Sequence, residues 1–236
     1  MTFRLSSLVS AFGALAFAAC GGDGGTDPVD DGGNGGGGGG GGGTAAAIAV
    51  VSGSGQSGKT LEALGSPFVV RVTDDAGAAV SGVTVSWSVA AGDGTLSATS
   101  SSTNSAGETS VTYTPGPALG ASTVSATVSG VPQAAEFTVQ TTVALVKMES
   151  IAFVSPQGGD ALTVPVGTTV EWVNLDAVAH TVTSTDVPAG GAAFDSGLMG
   201  QGERFQFTPM VEGTWTYFCE VHPGVMLGAT ITVVSG

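Results

Sequence analysis

Positive charge is what this chain of 236 residues has least of: five Lys and Arg stand against 19 Asp and Glu, a formal net charge of −14. Nucleic-acid binding needs clustered cations that displace counterions from phosphate, so that class is excluded. Direct attraction to an anionic membrane surface fails on the same ground. Charged residues of both signs make up only 10 % of the chain and aromatics 6 %. There are two cysteines, Cys20 and Cys219, in segments of different character, which argues against a disulfide between them. Histidines are equally scarce, His180 and His222 alone. The only long apolar run lies at the N-terminus, from Leu8 to Ala19, and is too short to span a bilayer.

What the chain has instead is glycine, 40 of them, and short alternating runs of Val, Thr, Ser and Ala. That composition favours all-β modules over helices, and the length suits one or two domains. Residues 1–20 carry one basic residue, Arg4, then the apolar run, then small residues up to Cys20, and read as a signal peptide. Phe17-Ala18-Ala19-Cys20 resembles a bacterial lipoprotein box, which implies lipidation of Cys20 as the first residue of the mature chain; ordinary cleavage after Ala18 and an uncleaved structural segment are the other readings. Gly21 follows that cysteine, so the Asp that retains lipoproteins at the inner membrane is missing. Residues 21–43 end in nine consecutive glycines and cannot bury enough apolar surface to offset the entropy of ordering, so a flexible linker is expected.

Residues 44–141 alternate cleanly, as in Val83-Thr84-Val85-Ser86-Trp87-Ser88-Val89, with turns at Asp74-Asp75-Ala76-Gly77 and Gly92-Asp93-Gly94. About seven short strands at this spacing form an immunoglobulin-like sandwich by pattern. Asp74-x2-Gly77-x2-Val80-x-Gly82-Val83-x-Val85-x-Trp87, Thr103-x3-Gly107 and Gly120-x3-Val124-x-Ala126-x-Val128 resemble bacterial immunoglobulin-like domains of the invasin/intimin type, which implies a spacer or surface module. Fold alone confers no adhesion. Trp87 is expected in the core.

Residues 142–147 are expected to link this module to a second one, residues 148–236, with strands over 150–153, 161–164, 169–173, 180–183, 205–207, 214–218 and 229–233. Near its end, Thr216-Tyr217-Phe218-Cys219-Glu220-Val221-His222-Pro223-Gly224-Val225-Met226 places a thiol, an imidazole and a thioether at Cys-x2-His-x3-Met, where an aromatic strand meets a Pro-Gly bend. Alternation puts Trp215, Tyr217 and Cys219 on one face of that strand. Copper suits such a trio, since a trigonal His2Cys set with a weak axial Met is its electron-transfer geometry; zinc also accepts Cys and His, though not a thioether. His180 is the one histidine left to complete the set. Met199 could line an apolar rim or act as an alternative soft ligand.

The second module resembles the cupredoxins, small blue-copper proteins of the plastocyanin, amicyanin and pseudoazurin type. The marks are Gly167-x2-Val170-x-Trp172-x-Asn174-x-Asp176-x3-His180, then Phe194-Asp195-Ser196-Gly197-Leu198, Gly202-x2-Phe205 and Gly213-x-Trp215-x-Tyr217-x-Cys219-x2-His222 with Met226. The loop departs from the family in one respect. Three residues separate His222 from Met226, where plastocyanin-like loops have four and amicyanin-like loops two.

The resemblance implies an all-β protein of two sandwiches in tandem, immunoglobulin-like and then a cupredoxin Greek key. It implies one type 1 copper held by His180, Cys219, His222 and Met226. Asn174, Asp176 and Thr181 would hold the imidazoles and tune the sulfur, a turn-forming role being the alternative. The function implied is non-enzymatic: an envelope-anchored carrier of single electrons between redox proteins such as a cytochrome and a terminal reductase or oxidase. Contact with a membrane would be through the lipid alone, and no small-molecule substrate is expected. Two histidines cannot build a second, catalytic copper centre, and one available thiolate cannot bridge two coppers. Periplasmic copper delivery and a structural or adhesive surface module are the competing readings. The acidic surplus serves solubility or steers a basic partner.

Overall fold

A computed structural model describes residues 43–236, and their regular elements are all strands. The expected signal peptide, Cys20 and the glycine linker up to Gly42 lie outside the described residues. In chain order the strands are β1 (Ala47–Ser52), β2 (Gln56–Lys59), β3 (Phe68–Thr73), β4 (Thr84–Ala91), β5 (Thr95–Leu96), β6 (Ser100–Ser102), β7 (Glu108–Val111), β8 (Tyr113–Thr114), β9 (Gly120–Val128) and β10 (Ala135–Met148). Then follow β11 (Phe153–Val154), β12 (Ala161–Pro165), β13 (Thr169–Asn174), β14 (Thr183–Asp186), β15 (Arg204–Phe207), β16 (Gly213–Phe218) and β17 (Ala229–Val234).

Alternation decides which face of each strand is buried. In β4, Val85 and Trp87 are buried while Thr84, Ser86 and Ser88 are exposed. The sheet β1-β3-β7 packs over β6, β4, β9 and the first half of β10 around one core, where Phe137 stacks on Phe68 with centroids 4.5 Å apart and Trp87 lies against Phe137. A second core lies between the sheet β12-β17-β16-β14 and the second half of β10 with β13 and β15. Trp172, Trp215 and Tyr217 are fully buried there. At roughly 25 cal/mol per Å² and 150–250 Å² per ring, each contributes roughly 4–6 kcal/mol of transfer free energy.

One strand serves both cores. The first half of β10 pairs antiparallel with β9 (Ala135↔Ala126 to Thr141↔Gly120), and the second half pairs parallel with β13 (Val143↔Thr169 to Met148↔Asn174). A bulge against β2 sets Thr141 and Val143 opposite the consecutive residues Gly58 and Lys59. An inserted residue shifts the phase of alternation by one. The buried positions are accordingly odd from Ala135 to Thr141 and include Ala144, Val146 and Met148 beyond. Residues 142–147 thus lie inside a paired strand.

A charge cluster seals the junction. Glu171 of β13, only 2 % exposed, accepts hydrogen bonds from Lys59 Nζ at 2.7 Å, from Arg204 and from Gln206. Arg204 also reaches Glu62 at 2.7 Å. Beside it, buried Thr60 donates its N–H to the Val143 carbonyl and accepts the Leu145 N–H on its hydroxyl. Two of the chain's five basic residues, one from each module, converge on this one carboxylate. Burial alone would raise the Glu171 pKa, but the hydrogen bonds from Lys59, Gln206 and Arg204 outweigh it and hold it below the usual range.

Two expected strands are rearranged. Ser150 and Ile151 form the turn between β10 and β11 rather than a strand. His180 sits in an isolated bridge with Met199, and β14 begins only at Thr183.

Candidate metal centre

Strand β16 lies between β14 and β17, which fixes its direction and the face it presents. Trp215, Tyr217 and Cys219 point into the core, while Thr216 and Phe218 are half-buried. Beyond Cys219 the chain closes on itself. The Cys219 N–H donates to the Met226 carbonyl at 2.9 Å, and the N–H groups of Val225 and Met226 both donate to the His222 carbonyl. Pro223 and Gly224 form the bend that this closure requires. Cys219 and Met226 are therefore buried in the same core cluster, with His222 half-buried between them in sequence.

His180 arrives from the connection between β13 and β14, outside any named strand. It ends the loop that leaves β13 at Asn174, and exchanges two backbone hydrogen bonds with Met199, at 3.1 and 2.8 Å. Its Nδ1 lies 3.7 Å from Cys219 Sγ, and Nδ1 of His222 lies 3.6 Å from the same sulfur. The three donor atoms fall within 4.8 Å of one another, and the imidazole centroids are 4.8 Å apart. His180 and Cys219 are fully buried. One thiol sulfur and two ring nitrogens, two of the three residues fully buried, form a soft trigonal donor set of the kind that suits copper.

The other expected residues, Asn174, Asp176 and Thr181, make hydrogen bonds around this set. Asn174 donates from Nδ2 to the carbonyls of Val178 (2.8 Å) and Met199 (2.9 Å), and its Oδ1 accepts the Asp176 N–H, so one side chain shapes the His180 loop. Asp176 Oδ2 lies 3.0 Å from His180 Nε2, which leaves Nδ1 as the nitrogen turned to the sulfur. The Ile151 N–H foremost, then those of Ser150 and the His180 ring, hold the Asp176 carboxyl below its usual pKa against the opposing effect of burial. Thr181 donates its N–H to Cys219 Sγ at 3.3 Å, and its hydroxyl accepts the Glu220 N–H at 2.8 Å, tying the two donor-bearing segments together. Burial pushes the Tyr217 hydroxyl pKa far up, so it stays neutral within the core.

Met199 is only 3 % exposed and belongs to the core rather than to a rim. Sequence reasoning missed the backbone role of Met199, the Ser196 hydroxyl that accepts the Val182 N–H at 2.8 Å, and the contacts of Ser150 and Ile151. The run Phe194-Asp195-Ser196-Gly197-Leu198 was the one available signal, since Phe194 packs on Trp172 with centroids 5.5 Å apart. The donor-bearing loops carry exposed apolar side chains, Val178 46 %, Val221 46 %, Val225 71 % and Leu227 64 %, and so does the β14–β15 connection that pairs with His180 through Met199, at Leu198 69 %.

Comparison with known proteins finds two matching families. Residues 66–143 match the bacterial Ig-like domain (group 1), and residues 141–234 match the copper binding proteins of the plastocyanin/azurin family. Plastocyanin from Scenedesmus fuscus is 34 % identical over 79 residues, 31 % of this chain and 81 % of that protein. Amicyanin from Paracoccus versutus is 28 % identical over 85 residues, 36 % of this chain and 61 % of that protein. Among solved structures, a purple cupredoxin from Nitrosopumilus maritimus is 31 % identical, with 39 % of this chain and 99 % of that one covered, at a TM-score of 0.31. An amicyanin mutant in its oxidized state is 28 % identical, with 39 % and 83 % covered, at a TM-score of 0.34. With its donor segments inside the matched region and four-fifths of a plastocyanin spanned, the chain belongs to the plastocyanin/azurin family of copper-binding proteins.

Proposed function

We propose that this protein carries single electrons through one type 1 copper, which His180 Nδ1, Cys219 Sγ and His222 Nδ1 would hold, with the Met226 thioether as a further donor. The observation that carries the reading is the convergence of those three atoms within 4.8 Å, from the β13–β14 and β16–β17 connections, which lie far apart in sequence. Copper supplies a one-electron couple between Cu(II) and Cu(I). The chain's own part is to keep the donors still. Cys219 and His180 are buried, and each is fixed by a backbone hydrogen bond as well as by its neighbours. Such immobility favours retention of the ion over its delivery to an acceptor.

His222 is the half-buried member of the set, and exposed Val221, Val225 and Leu227 flank it in its own loop. A docked redox protein would meet that apolar surface and take or give the electron through the imidazole. The loop of His180 follows Asn174, which pairs with Met148 at the end of β10 remote from the first sandwich. From Thr141 to Met148 is seven residues, roughly 23 Å of strand. The immunoglobulin-like module then acts as a spacer that keeps the docking surface clear. Export, a lipid on Cys20 and the linker 21–43 would tether the carrier at the bacterial envelope, with a cytochrome or a terminal reductase or oxidase as partners.

A redox titration of the copper-loaded chain tests the proposal. Reversible transfer of one electron per copper, with the metal retained through repeated cycles, is expected; loss of copper to a chelator on reduction would favour delivery instead.

A further inference from the structure

One ring nitrogen of His180 faces the sulfur; the other leads to a feature that no sequence motif marks. Besides His180 Nε2, the Asp176 carboxylate accepts the Ser150 N–H at 2.8 Å on Oδ1 and the Ile151 N–H at 2.9 Å on Oδ2. Those two residues are the loop of the β10–β11 hairpin. Glu149 and Ala152 exchange backbone hydrogen bonds across it, and Met148 pairs with Phe153 below.

Both loop residues are left-handed, with φ of 57° at Ser150 and 55° at Ile151. A two-residue hairpin of this kind requires positive φ at both positions, which is why Asn-Gly usually fills it. A β-branched residue there is a conformational outlier, and Ile151, 42 % exposed, gains little burial in return. Consecutive left-handed residues do, however, aim successive N–H groups into one concavity that holds an anion. Here the anion is a side chain of the same protein, and its remaining contact is the buried imidazole.

We propose that the Ser150–Ile151 turn is a positioning element of the metal centre. Its two N–H groups fix the carboxylate of Asp176, and the carboxylate holds His180 as the Nε2–H tautomer with Nδ1 turned to Cys219. Ser150 and Ile151 touch no donor atom; they act through Asp176. The metal-binding part of this proposal rests on the function proposed above, whereas the tautomer part concerns the protein without metal.

The test uses the full chain. Inserting one glycine between Ser150 and Ile151 disperses the two N–H groups and leaves Asp176 in the sequence. In metal-free protein, nitrogen NMR of the His180 ring is expected to show a single Nε2–H tautomer in the parent, and mixed tautomers in both the insertion variant and Asp176→Ala. Apparent copper(II) affinity falls about 10–100-fold in each, the usual effect of removing a ligand's hydrogen-bond partner, and the two effects do not add in the double variant. A folded insertion variant with the parent's tautomer and affinity overturns the proposal, as do additive effects. Ile151→Gly guards against misfolding of the insertion variant. It keeps both N–H groups and suits the positive φ, so it should melt higher with His180 unchanged; a tautomer shift as large as that of Asp176→Ala overturns the proposal. If the parent binds no copper, the electron-carrier reading fails while the tautomer result still stands or falls alone.

Discussion

Glu171→Gln asks whether charge holds the two sandwiches together. The carboxylate is 2 % exposed and accepts from Lys59, Arg204 and Gln206. Removing one member of a buried ion pair costs about 3–5 kcal/mol, because the partner stays behind uncompensated. Here the side chains of Lys59 and Arg204 are 29 % and 39 % exposed and can turn to water or to Glu62, so the low end applies, about 3 kcal/mol near neutral pH. At about 2–4 °C per kcal/mol for a unit of this size, the melting temperature should drop by about 6–12 °C. Lys59→Met removes one charged hydrogen bond at a partly exposed site and should cost about 1–2 kcal/mol. The sign of the pH effect follows from the depressed pKa. The stabilisation is fully present above the ordinary glutamate value of 4.5 and is lost as pH falls through the lower folded value, so parent and variant converge in acid. Urea unfolding across that pH range is the assay. A Glu171→Gln variant within about 0.5 kcal/mol of the parent at neutral pH, the noise of a surface change, would refute the reasoning, and so would a gap that persists undiminished in acid.

Met226→Leu should keep copper and colour but raise the reduction potential, since a weak donor to Cu(II) is lost; voltammetry showing no change would remove Met226 from the axis. Leu198→Asp with Val225→Asp places charge on the apolar surface around the donors. Electron self-exchange should slow by about tenfold or more, a like-charge penalty of about 1.4 kcal/mol or more between two docked copies, with the absorption spectrum unchanged. Thr181→Val keeps the N–H to Cys219 Sγ but loses the hydroxyl that accepts from Glu220, and should lower stability by about 1–2 kcal/mol in thermal unfolding.

The strands and the donors were legible because their signals are local. Alternation marks β4 and β16 directly, and Cys219, His222 and Met226 lie within one loop. His180 was found by scarcity, as the one other imidazole. What escaped depends on partners distant in sequence. Glu171 stands in Thr169-Val170-Glu171-Trp172-Val173, where a charged residue suggests a solvent-facing position; it is buried because Lys59, 112 residues away, covers it. The run 142–147 resembled a link because the bulge in β10 breaks the period just where one core gives way to the next. Ser150 and Ile151 carry no Gly or Asn, the residues that announce a left-handed turn, and only the Asp176 carboxylate 25 and 26 residues on explains them. Asn174, Asp176 and Thr181 were legible as positions, but their hydrogen-bond partners were not.

Everything assigned to function requires that Cys219 bind copper as a thiolate. Visible absorption of the oxidised, copper-loaded chain, measured beside Cys219→Ser, addresses this without a redox partner. An intense sulfur-to-copper charge-transfer band is expected in the parent, absent from the variant together with most of the affinity. A variant that keeps the parent's colour and binds the ion as tightly would contradict the assignment.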